Sequence, residues 1–81
     1  MGNARFGSDL RIVFFGEHGE LCSLWVTVYP PYKVGQRIFI KDIGESFSRA
    51  YKITKLNNCI TYDGDYGRIL ELQVSLKAVR Y

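Results

Sequence analysis

Hydrophobic positions along the chain come in short runs that alternate with polar ones. The clearest run covers residues 68–81, with Leu70, Leu72, Val74, Leu76 and Ala78 on one side and Glu71, Gln73, Ser75 and Lys77 on the other. Five apolar positions at a period of two predict a half-buried strand, because a helix would spread them around its whole circumference. Residues 21–29 alternate as well. Cys22, Leu24, Val26 and Val28 share one side, and Leu21, Ser23, Trp25, Thr27 and Tyr29 the other, so neither side is purely polar. In residues 37–41, Ile38 and Ile40 point inward and Arg37, Phe39 and Lys41 outward. Residues 10–15 are apolar on both sides after Arg11. A fourth run starts with Tyr51 and Ile53, loses phase near Asn57-Asn58 and resumes with Ile60 and Tyr62. That slip predicts a bulge or a tight bend beside the two asparagines.

Turn-forming residues separate these runs at 16–20, 30–36, 44–46 and 63–67. Runs of Val, Ile, Tyr, Phe and Trp between Gly, Pro and Asp clusters read as strands joined by turns. The first two strands are expected to pair across residues 16–20, and the fourth and fifth across 63–67. Pro30-Pro31 cannot lie inside a central strand, so the second strand ends before them. Residues 46–50 are long enough for one helical turn. The expected fold is all-β: a single domain over residues 1–81, with 1–7 flexible. About five antiparallel strands would form a small barrel or half-barrel of SH3-like or OB-like kind, since closure removes unpaired edges.

Pro31-x-x-Val34-Gly35-x-x-Ile38-x-Ile40, followed by Tyr51-x-Ile53 and a long closing strand, resembles SH3-like and related small β-barrels. It looks especially like short stand-alone proteins of phages and other mobile elements, including integron gene cassettes. In those barrels a Val-Gly pair opens a strand after a turn. The resemblance covers residues 30–79 and carries no catalytic residues. It implies a binding or assembly module.

Length sharpens this picture. A folded monomer of 81 residues hides only about 60% of its surface, so its stability is marginal unless something adds to the core. No apolar run approaches the ~20 residues of a membrane helix, and no membrane partner is expected. Met1-Gly2-Asn3-Ala4-Arg5-Phe6 lacks the apolar stretch of a secretory signal, so a cytoplasmic chain is expected. The net charge of +3 permits nucleic-acid binding without arguing for it, because the basic residues are scattered and form no block. Cys22 and Cys59 are too far apart in sequence for a CxxC site. Buried free thiols are expected of them, with a disulfide as the alternative.

Candidate chemistries are few. Asp63-Gly64-Asp65-Tyr66-Gly67 offers two carboxylates to a calcium ion but lacks the remaining ligands of a calcium loop, so it reads as a hairpin turn. His18, the single histidine, sits between Glu17 and Gly19 in an expected exposed turn, a poor setting for a tuned base. The carboxylate pairs Glu17/Glu20 and Asp42/Glu45 fall at expected turns and read as solvated charges rather than an acid-base pair. No enzyme activity, metal or other cofactor is expected.

The aromatics are more informative, at 15% of the chain. Leu, Val and Ile already supply a small core, and Trp25, Tyr29 and Phe39 fall on the opposite sides of their strands. Three uses fit them: packing over the ends of the barrel, a protein interface, or stacking on nucleic-acid bases. The first expectation is a non-enzymatic module that buries an apolar outer face by self-association or against a protein partner. Trp25, Tyr29, Phe39 and Ile69 would form that face, with Arg37 as a polar anchor beside Lys41. The alternative is a barrel that binds single-stranded nucleic acid through Trp25, Tyr29, Phe39, Arg37, Lys41, Lys52 and Lys55.

Overall fold

The computed structural model describes residues 10–41, 44, 46–65 and 67–79. The flexibility expected of residues 1–7 lies outside them. Five strands follow one another: β1 (Leu10–Gly16), β2 (Gly19–Val26), β3 (Arg37–Ile40), β4 (Arg49–Asp63) and β5 (Gly67–Ala78). They form one sheet in the order β2-β1-β5-β4-β3. The fold is all-β, and the sheet is open, a half-barrel rather than a closed one. Both expected hairpins form, β1 with β2 and β4 with β5.

One pairing is parallel where an antiparallel barrel was expected. β1 lies beside β5 with Leu10 opposite Leu70, Ile12 opposite Leu72 and Phe14 opposite Val74. Parity explains it. Each of the four connections between β1 and β5 reverses the chain, so the two strands run the same way when they meet.

This parallel pair forms the middle of the core. Leu72 and Val74 are 0% exposed and Ile12 and Ile53 1%, with Leu10, Phe14 and Leu76 buried beside them. Burying each such side chain contributes about 1.5–3 kcal/mol. After β2 the chain passes from one edge of the sheet to the other across this core face. Tyr32 meets Phe14 edge-to-face on the way, with ring centroids 6.1 Å apart. A turn at residues 33–36 then delivers the chain to β3, its backbone bond running from Gln36 N–H to the Lys33 carbonyl. The third turn position needs a positive φ, and Gly35 supplies it at +96°. Gly35 and Gln36 also exchange backbone hydrogen bonds with Ile53, which fixes β3 against β4.

The phase slip in β4 sits earlier than the asparagines suggested. Ile53 faces Leu76 and Lys55 faces Ser75, so the extra residue is Thr54, whose hydroxyl donates to the Ser75 carbonyl. The bulge moves the inward positions from Tyr51 and Ile53 to Leu56, Asn58, Ile60 and Tyr62. Upstream, β4 begins at Arg49, and residues 46–47 bend rather than form a helical turn.

Both thiols are free and half-buried, not fully buried. Cys22 lies opposite Phe14 and packs on the core face, whereas Cys59 lies opposite Glu71 on the outer face. The sheet itself separates them, so they cannot bridge.

Candidate functional site

Two parts of the sheet present chemistry to the outside. The first is the outer face, which carries two charged clusters at different heights along β5.

Toward the start of β5, Arg11 and Glu71 are directly paired residues of β1 and β5. The Arg11 guanidinium donates to Glu71 Oε1 from both Nε (3.1 Å) and Nη2 (2.8 Å), and its Nη1 reaches Asp63 Oδ2 at 3.4 Å. Gln73 donates to the other Glu71 oxygen at 2.8 Å and accepts from Asn57. Arg11 also lies over the Trp25 ring, 5.5 Å from its centroid. A network across four strands therefore satisfies a carboxylate that is only 6% exposed. Burial pushes the Glu71 carboxyl up, but hydrogen bonds from Gln73 and Arg11 outweigh it and hold the group below its usual 4.5. The hydrogen bond to Glu71 is the main reason Arg11 is held above its ordinary value. Asp63 does double duty, since its Oδ1 accepts from Asp65 N–H at 2.8 Å and closes the β4–β5 turn. That turn is the one expected at the calcium-like sequence.

Toward the end of β5 the outer face is purely basic. Arg37 lies directly opposite Lys52, and Lys52 directly opposite Lys77. All three are exposed, with Lys55 exposed one bulge further along β4. None of the four forms an ion pair with the described residues. Arg37, Lys52 and Lys77 line an open groove of about 640 Å³ whose far wall is Ala78 and Val79. The same two residues border a second groove of about 410 Å³ that holds Phe39 and Phe47. Phe39 is 65% exposed because its cross-strand neighbour is Ala50, too small to cover the ring. Phe47 is 58% exposed and has the Arg49 guanidinium 5.8 Å from its ring centroid.

The second exposed part is one end of the core face. Ile60 and Leu70 are a direct cross-strand pair, 69% and 54% exposed, and Leu70 in turn pairs with the buried Leu10. Tyr62 and Leu24 are exposed on the same face. Tyr29 leans over this end and donates a hydrogen bond from its hydroxyl to Asn58 Oδ1. Leu10, Tyr29, Ile60 and Leu70 thereby enclose a shallow apolar cleft of about 240 Å³. Residues 55–63 of β4 have β5 on one side and no strand on the other among the described residues.

The residues singled out from sequence are thus dispersed. Arg37 and Phe39 project from one side of β3 by simple alternation, Lys41 follows just past its end, and all three are exposed. Trp25 is half-buried at the other edge of the outer face, under Arg11. Tyr29 belongs to the core face. Ile69 is 7% exposed, interior to the single chain, so it has little surface to offer a partner. Lys52 joins Arg37, and Lys55 stands nearby. Sequence reasoning missed Glu71 and Arg11 as a buried pair, Lys77 as a neighbour of Lys52, and Ile60 and Leu70 as exposed residues. Only the lone Arg11 in an apolar run signalled any of these. No family model, curated protein or solved structure matches this chain. No helix among the described residues is long and apolar enough to cross a membrane.

Proposed function

We propose that this chain is a non-enzymatic assembly module that self-associates through the uncovered end of its core face. The observation that carries this is the Ile60–Leu70 pair. Single exposed apolar residues are ordinary, but a cross-strand pair continuous with the core and extended along β4 by Tyr62 is a patch. A second copy laid face to face, at the usual spacing of about 10 Å between packed sheets, would cover it. A twofold arrangement needs only this one patch, because each copy presents it to the other. Covering the exposed parts of Ile60, Leu70 and Tyr62 on both copies contributes about 1–2 kcal/mol per side chain. That sum, about 6–12 kcal/mol over six side chains, does no more than offset an association cost of about 4–15 kcal/mol, so any dimer is weak and forms only at high concentration. Self-association also enlarges a core that 81 residues leave small. The small-barrel resemblance implies a binding or assembly module, of which self-association is one form.

Sedimentation equilibrium over a dilution series tests the proposal. The native chain should approach twice its chain mass at high concentration, and Ile60→Asp should show the single-chain mass while keeping its β-sheet circular dichroism. A native chain that stays monomeric at every concentration, or an Ile60→Asp variant that stays dimeric, would overturn it.

A further inference from the structure

We propose that the basic end of the outer face binds single-stranded nucleic acid, with Arg37, Lys52 and Lys77 on the phosphates and Phe39 and Phe47 stacked on bases. Like charges placed directly opposite one another on neighbouring strands destabilise a sheet. Here two such pairs stand in succession, Arg37–Lys52 and Lys52–Lys77, and no described carboxylate compensates them. Further along the same face Arg11, Glu71 and Asp63 neutralise one another. A local conflict in an otherwise consistent sheet points to a use outside the fold. A polyanion is the ligand that removes it, since each phosphate placed between two cations converts repulsion into attraction.

The aromatic neighbours choose among polyanions. The three cations cross the sheet over about 10 Å, two strand spacings. Beside them the exposed rings of Phe39 and Phe47, the latter with the Arg49 guanidinium over one face, line a groove that adjoins the basic one at Ala78 and Val79. Bases of a single strand are free to stack on such rings, whereas those of a duplex are stacked on each other. An acidic polypeptide would use the cations and leave the rings idle. The site lies seven residues along β5 from Leu70, about 20 Å away, so it is independent of the face assigned to self-association.

Fluorescence anisotropy of a labelled oligothymidylate, titrated with the full chain at two salt concentrations, tests this. Three phosphate contacts predict a slope of log affinity on log salt near −2, an affinity loss of roughly 15- to 20-fold for a fourfold rise in salt. Lys77→Gln should shallow the slope by about 0.7. Phe39→Ala should weaken binding roughly 5- to 150-fold at an unchanged slope, because it removes stacking and no charge. All the substituted side chains are exposed, and a thermal melt confirms that each variant is folded. Absence of binding at the lower salt would overturn the proposal. So would binding that Lys77→Gln leaves untouched. Equal affinity for a duplex or for polyglutamate, together with indifference to Phe39→Ala, would replace it with a general polyanion surface.

Discussion

Glu71 and Lys77 lie on the same side of the same strand, six residues apart, yet the sheet treats their charges in opposite ways. Glu71 has complementary partners on two sides, Arg11 across on β1 and Gln73 along β5, with Asp63 taking the remaining guanidinium nitrogen. Around Lys77 the neighbours are Lys52 and, one strand on, Arg37. Burial accounts for the difference. A carboxylate that is 6% exposed cannot be left without partners, because desolvating an unpaired charge costs several kcal/mol. Exposed ammonium groups stay solvated, so water and salt soften their repulsion to a fraction of that. The charges of the first cluster, being buried or half-buried, must be paired with one another. The second cluster is merely tolerated by the fold, which leaves it available to a ligand.

The largest break in this contrast should come from Glu71→Ala. It removes the closer carboxylate of the half-buried Arg11 guanidinium and the acceptor of Gln73, at a cost of about 2–3 kcal/mol, below the ~3–5 kcal/mol of a fully buried pair because Arg11 keeps Asp63 and some contact with water. Denaturant titration measures it. An Arg11→Met, Glu71→Leu double variant should recover most of the loss, since apolar residues of similar volume need no partners.

A smaller effect of known sign follows from acid. The Glu71 carboxyl is held below 4.5 in the folded chain, so the unfolded chain binds the proton more readily. The stability this contributes is complete above the unfolded value and is lost as pH falls through the folded one. Stability measured against pH should therefore decline below about 4.5, and Glu71→Gln should flatten that decline.

The smallest effect belongs to the basic row. With no polyanion present, Lys77→Glu places opposite charges across β4 and β5 and should raise stability by about 0.2–1 kcal/mol. The gain should shrink as salt rises. A loss of stability instead would mean that the row supports the fold, and the contrast with Glu71 would fail.

Much of the architecture was legible in the chain. The two-residue period of Leu72, Val74 and Leu76, the hairpin turns at 16–20 and 63–67, and the stop before Pro30 are local features, set by side-chain alternation and turn chemistry. The ends of that same period were misleading. Leu70 fits the inward pattern but lies where no described segment covers the sheet, while Ile69 and Glu71 fit the outward pattern and are buried. Alternation assigns a residue to a face; it does not say what covers that face. The bulge at Thr54 has the same status, since a slip of phase shows in sequence while its place depends on the partner strand's register.

What the sequence determined by itself is a set of strands, their two hairpins, and the exposure of Arg37 and Phe39 on one side of β3. Tertiary structure alone decided that β1 joins β5 in parallel, that Arg11 meets Glu71, and that Arg37, Lys52 and Lys77 form one row. These partners lie 60, 15 and 25 residues apart along the chain. Register between remote strands is fixed by how the whole core fills, and no local pattern of residues contains it.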